Sequence, residues 1–171
     1  RSAYGRAQAT MNGYDAALVE HGRINHAGLT DSLCFLQPLH PRAFALCDYL
    51  WNQGYLDALF VELWRLHEAQ VNRLCKAVLR KVWRVPASDV NAFFGQESAW
   101  VDGFMLFRGM FGDTWQTLAG LDAGEFSKWV GVRNQLVHGK GTYEIALLEQ
   151  GCVLVCDAIA RLAVWGLAQP L

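Results

Sequence analysis

Apolar residues recur at spacings of three and four over residues 55–83, the longest segment of the chain with a single pattern. The members of this apolar stripe are Leu56, Leu59, Phe60, Leu63, Trp64, Val71, Leu74, Val78 and Val82. The spacing places them on one side of an α-helix, since a helix completes a turn about every 3.6 residues. Pro86 follows the segment, and a proline interrupts helical hydrogen bonding. The pattern therefore predicts a long helix that buries one face.

Shorter helical patterns occupy most of the remaining chain. We predict further helices over residues 11–21, 41–52, 88–94, 98–111, 122–138 and 142–168. Ser88, Ser98 and Thr142 are the predicted N-caps, because a hydroxyl oxygen can accept hydrogen bonds from the free N–H groups of a first turn. Residues 22–41 carry glycine, asparagine, aspartate and proline and are predicted to be mostly loop. Since no alternating strand pattern is visible, the expected fold is an all-α, up-and-down helical bundle with two long helices and several short ones.

Length and charge limit what such a bundle can do. The 171 residues suit one domain, expected over residues 11–171, with residues 1–10 as a flexible tail or as residues added for expression. A composition of 53% hydrophobic and 18% charged residues excludes a disordered protein. The net charge of −1 argues against a protein that holds nucleic acid through a general positive field. Any contact with RNA would therefore depend on a few well-placed residues.

The cysteines point to a reduced interior rather than to a metal centre. They lie at scattered positions: Cys34, Cys47, Cys75, Cys152 and Cys156. No pair of C-x-x-C motifs is present, so a zinc site is not expected, and we predict no other metal and no cofactor. Free cysteines are commonly core residues in proteins of the reducing cytoplasm, and we interpret these five in that way.

One apolar stretch, residues 152–167, is a candidate membrane segment. Asp157 and Arg161 interrupt it four residues apart, as the two members of a helical ion pair would. We therefore expect a buried helix and no membrane partner.

Polar residues gather at the end of the helix predicted over residues 122–138. On a helical wheel Arg133 lies inside a broad apolar arc, where a guanidinium is costly unless it is paired or reaches an opening. Asn134 and His138 are four residues apart and share another face. Gly131 lies beside that face and has no side chain, so a ligand or another backbone could come close. Gly139 follows His138 and is expected to end the helix.

Each of these side chains also has an ordinary structural explanation. Arg133 could pair with a core-facing acid of the long helix. The candidate acids are Glu62, Glu68 and Asp57. His138 could be favoured at a helix C-terminus by the helix dipole, and Asn134 could be an exposed amide.

Taken together, the same three side chains supply what RNA cleavage without a metal requires. Attack by a ribose 2′-hydroxyl needs a base for its proton, an acid for the leaving oxygen and a cation for the charge on phosphate. Histidine titrates in the useful pH range, and arginine donates two parallel hydrogen bonds to phosphate oxygens.

The stretch VRNQLVHGK resembles the R-x4-H motif of the HEPN superfamily, with Arg133 as its arginine, Asn134 as the polar residue after it and His138 as its histidine. The family consists of small α-helical bundles that usually dimerise. Many members are metal-independent endoribonucleases of toxin–antitoxin and other defence systems, in which the Arg and His of two protomers face each other across a cleft. The resemblance implies a cytoplasmic homodimer that cleaves RNA with these three residues and is controlled by an antitoxin or another protein regulator. Some members are non-catalytic dimerisation, RNA-binding or nucleotide-binding modules, and this is the alternative.

Two further residues are candidates for substrate binding. Lys140 stands two residues after the motif histidine, where one branch of the family carries the tyrosine that nucleotide transfer modifies. The lysine departs from that pattern, and it is either a phosphate contact or an exposed turn residue. His67 lies in the apolar stripe of the long helix, so it either lines the same cleft or is a hydrogen-bonded core histidine.

Overall fold

The computed structural model describes residues 41–95 and 123–168, together with residues 37, 106, 107, 109 and 110. The helices whose bounds lie within these ranges are α1 (Pro41–Asn52), α2 (Leu56–Lys81), α3 (Ala87–Phe94), α4 (Ala123–Val137) and α5 (Ile145–Ala168). The described residues contain no strand, and the all-α prediction is confirmed. The helix predicted over residues 11–21, most of the one over 98–111 and the limits expected for the domain lie outside the described residues.

Local sequence signals set the ends of the first two helices. Helix α1 has the predicted bounds, and Gly54 follows it with a φ of +74°, a left-handed conformation that suits glycine. The N–H of Tyr55 closes this turn by donating to the carbonyl of Leu50 at 2.9 Å. Helix α2 then runs from Leu56 to Lys81, slightly shorter than the predicted 55–83. The two helices are therefore joined by a tight turn and lie next to each other.

Two predicted N-caps are wrong. Helix α3 begins at Ala87 with Pro86 at the cap position, and the Ser88 hydroxyl instead donates to Oδ1 of Asp89 at 3.0 Å. Helix α5 begins at Ile145 rather than after Thr142, because the carbonyl of Glu144 accepts the first intrahelical hydrogen bonds. In both cases the path of the backbone places the serine or threonine away from the cap position.

The core lies between the two long helices, α2 and α5. The largest fully buried side chains are Trp64, Phe60, Phe107, Leu59, Leu63, Ile159 and Val71. Helix α5 is buried or half-buried at every position from 147 to 166 except Gln150. Its sequence is apolar nearly all round, and a helix of that kind is stable in water only when neighbours cover it. The apolar pattern of α5 thus accounts for its burial, and among the described helices α5 packs mainly against α2.

Helix α4 joins this core through aromatic side chains. The rings of Phe126 and Trp64 lie 5.5 Å apart, and those of Trp129 and Phe60 lie 5.7 Å apart. Both members of the second pair pack over Gly151 of α5, where a Cβ would come within 2.7 Å of the Trp129 ring. A glycine at this position lets α4 and α2 approach α5 closely.

The polar and sulfur-bearing residues of α5 agree with the sequence analysis. Arg161 donates from Nε to Oδ2 of Asp157 at 3.1 Å, as predicted for a helical ion pair. No described helix combines the length and the apolar character needed to cross a membrane. The cysteines in the described part of the chain are buried and free: Cys47, Cys75, Cys152 and Cys156. Burial raises the pKa of each thiol, which agrees with a role in packing. Cys34 lies outside the described residues.

Candidate functional site

The last turn of α4 ends in a glycine motif that fixes the position of His138. Gly139 has a φ of +63°, and its N–H donates to the carbonyl of Leu136 at 3.0 Å. The N–H of Lys140 reaches back to the carbonyl of Gln135 at 2.8 Å. These two hydrogen bonds define a Schellman motif with glycine at the left-handed position, as the sequence predicts. His138 is therefore the last residue before the chain turns away.

Arg133 is held by a neighbour on its own helix and by an acid on α2. Its Nη1 donates to Oδ1 of Asn134 at 3.0 Å, and its Nη2 lies 3.6 Å from Oε1 of Glu68. The Arg133 side chain is 21% exposed, so part of it still reaches solvent. Among the three acids that the sequence offered as partners, the structure selects Glu68. The guanidinium is both paired and partly accessible to solvent. Either condition lowers the cost of placing an arginine in the apolar arc of α4.

Glu68 is the functional-site residue that the sequence did not single out, because it was one of three candidate partners for Arg133. It is 9% exposed and lies on the buried side of α2. Burial raises the pKa of its carboxyl, while the positive charge of Arg133 acts against that rise. A buried acid needs a counter-charge. The position of Glu68 among the apolar residues of α2 was therefore the sequence signal that could have identified it as the partner of Arg133.

His138 and Lys140 are exposed beyond this ion pair. The backbone N–H of His138 donates to the carbonyl of Asn134 at 3.1 Å, so His138 lies one helical turn after Asn134 along α4. A Cβ at Gly131 would meet no atom of the described residues within 4 Å, so none of them makes the close approach that this glycine permits. The end of α4 thus carries Arg133 and Asn134 at half-buried positions and His138 at an exposed one.

His67 is not part of that open end. It is 2% exposed, and its ring meets the Trp64 indole edge-on at a centroid distance of 6.1 Å. Burial lowers the pKa of His67 to about 4, so the imidazole is neutral at pH 7. These features agree with the core-histidine alternative, and we leave His67 out of the site proposed below.

Within the described residues, no group of three His, Cys, Asp or Glu side chains could hold a metal ion. Comparison with family models, curated proteins and solved structures found no match for this chain. The residues at the end of α4 are therefore the basis for assigning a function.

Proposed function

We propose that this protein is a HEPN-like, metal-independent endoribonuclease that uses Arg133, Asn134 and His138. The observation that supports the proposal best is the anchored guanidinium at the exposed end of α4. Glu68 and Asn134 engage Nη2 and Nη1 from one side, and a guanidinium has five N–H donors in all. A planar guanidinium matches the geometry of phosphate oxygens, and the anchoring reduces the entropy that Arg133 would lose on binding phosphate.

In the proposed reaction the ribose 2′-oxygen forms a bond to phosphorus while the bond from phosphorus to the 5′-oxygen breaks. A histidine takes the proton of the 2′-hydroxyl, and a protonated histidine gives one to the departing 5′-oxygen. Arg133 stabilises the charge that develops on the phosphate oxygens. Asn134 positions Arg133 through their hydrogen bond. The products are a 2′,3′-cyclic phosphate and a 5′-hydroxyl, so no metal is required.

Two proton transfers require two acid–base groups, and this requirement supports a homodimer. In the described part of one chain, His138 is the only histidine with an exposed side chain. A second copy facing the first across a two-fold axis would supply the second imidazole and a second guanidinium. It would also double the positive charge at the cleft, which a chain of net charge −1 otherwise lacks. Lys140 would extend the phosphate contacts. Control by an antitoxin or another regulator in a cytoplasmic defence system completes the proposal.

The experiment is an RNA-cleavage assay in EDTA with purified protein and a labelled single-stranded RNA. We expect His138→Ala to abolish cleavage while circular dichroism shows an intact helical fold. Gln150→Ala removes an exposed polar side chain elsewhere and should leave cleavage unchanged. Products should carry a 2′,3′-cyclic phosphate or its hydrolysis product. Cleavage that survives in the His138→Ala protein would sink the proposal.

A second candidate, a non-catalytic helical module, is favoured by the Arg133–Glu68 ion pair itself. A guanidinium 3.6 Å from a buried carboxylate can serve the fold alone. In that case the wild-type protein should cleave no RNA in EDTA or in Mg²⁺, and His138→Ala should leave its oligomeric state unchanged. The same purified proteins therefore distinguish the two candidates.

A further inference from the structure

A groove runs between α1 and α2, and none of the residues that line it takes part in the proposed reaction. It encloses about 670 Å³. A second cavity of about 360 Å³ continues it toward the end of α4. The two cavities share Leu46 and Glu62 in their walls, and Leu136 and Val137 line the far end. The result is one elongated depression that reaches Val137, the residue before His138 in the chain.

Three arginines line the larger part of this groove. Arg65 is engaged with Glu62, to which its Nε donates at 2.8 Å. Arg42 and Arg73 are exposed, and within the described part of the chain neither forms an ion pair or a hydrogen bond. The larger cavity thus carries two uncompensated positive charges on a protein of net charge −1, and the further acid of the depression, Asp57, lines the smaller cavity. An occupant would have to supply acidic groups.

Aliphatic side chains form the rest of the wall. Leu46 is 44% exposed, and Leu66 and Ala69 line the depression next to it. None of the described residues that line the larger cavity is aromatic, whereas single-stranded nucleic acids bind to stacking platforms. The groove is open along one side and would cover too little of a small ligand. Its surface suits an elongated occupant with an apolar face.

We propose that the α1–α2 groove binds an acidic amphipathic helix of a partner protein. On α2 the groove extends from Asp57 to Arg73, which corresponds to about 24 Å at 1.5 Å per residue. A helix of about 16 residues has that length, and an apolar stripe with flanking acids matches the aliphatic wall and the arginines. The arginines lie toward one end, so the acids of the partner concentrate there. The other end of the bound helix lies beside the exposed end of α4, whatever chemistry occurs there.

The test uses the full chain and a designed helical peptide of about 16 residues. The peptide has leucines at i, i+3, i+4 and i+7 positions, glutamates beside them and a fluorescein label. We expect fluorescence anisotropy to show binding, and Arg42→Glu and Arg73→Glu each to weaken it by about tenfold. Lys81→Glu makes the same charge change on α2 outside the groove and should leave the dissociation constant unchanged. Ala69→Trp should block the groove sterically.

Three results would overturn this proposal. The first is no binding of the acidic peptide at millimolar concentration, and the second is equal binding of a peptide with lysine at every glutamate position. The third is binding that none of the groove substitutions changes. A single-stranded RNA oligonucleotide is tested in parallel, and RNA binding that alone depends on Arg42 and Arg73 would assign the groove to nucleic acid. All substituted positions are exposed, so circular dichroism should show an unchanged fold.

Discussion

Buried His67 should make the stability of the bundle depend on pH between neutrality and about pH 4. Burial lowers its pKa from the ordinary value of 6.5 to about 4 in the folded protein. In this interval the unfolded chain binds a proton at this histidine and the folded protein does not. The stability that neutral His67 preserves above pH 6.5 is therefore lost as the pH falls. A difference of about 2.5 pKa units corresponds to about 3 kcal/mol, of which about 2 kcal/mol should be lost by pH 5.

The assay is urea unfolding followed by tryptophan fluorescence at pH 7.5, 6 and 5. The free energy of unfolding of the wild-type protein should fall by about 2 kcal/mol more over this range than that of His67→Leu, which cannot titrate at this position. Gln150→Ala removes an exposed side chain that does not titrate and should keep the wild-type acid dependence. The raised pKa of Glu68 acts in the opposite sense, because it favours the folded state as the pH falls. Glu68 is present in all three proteins, so its effect cancels to first order in the comparison.

The test compares how the free energy of unfolding changes with pH, and not its value at one pH, because the leucine could change the stability through packing alone. Equal acid dependence of the wild-type and His67→Leu proteins would refute the reasoning. It would mean that the His67 imidazole can be protonated within the folded bundle, either by contact with water or by a compensating negative charge.

Three further substitutions test the packing and the site. Gly151→Ala should lower the free energy of unfolding by about 1–2 kcal/mol, because the added Cβ would overlap two aromatic rings. Gly131→Ala has open space at its Cβ and should raise the free energy of unfolding by about 0.5–1 kcal/mol in the same urea titration. Arg133→Ala should cost about 2 kcal/mol by leaving the buried Glu68 carboxylate unpaired, and Arg133→Ala/Glu68→Gln should recover part of that loss without restoring RNA cleavage. Lys140→Ala should weaken RNA binding modestly and lower the slope of log K against log salt by about 1, and an unchanged slope would remove this lysine from the phosphate contacts.

Local sequence determined the helices and their ends where a strong signal was present. The bounds of α1 follow from its periodicity and from Gly54, and the end of α4 follows from Gly139. These features depend on residues within one or two turns of each other, so they need no knowledge of the fold. The apolar composition of α5 likewise predicted that this helix is buried, because such a helix must be covered on nearly all sides.

Contacts between helices required the tertiary structure. Glu62, Glu68 and Asp57 all lie on α2, and only the way in which α4 crosses α2 brings Glu68 to Arg133. The tertiary structure also distinguishes the two alternatives for His67, because it buries this residue beside Trp64. Helical periodicity specifies which face of a helix is apolar, but it leaves open where along that face another helix crosses it. That choice depends on how side chains such as Trp129 fit into the space above Gly151, and this fit exists only once the chain has folded.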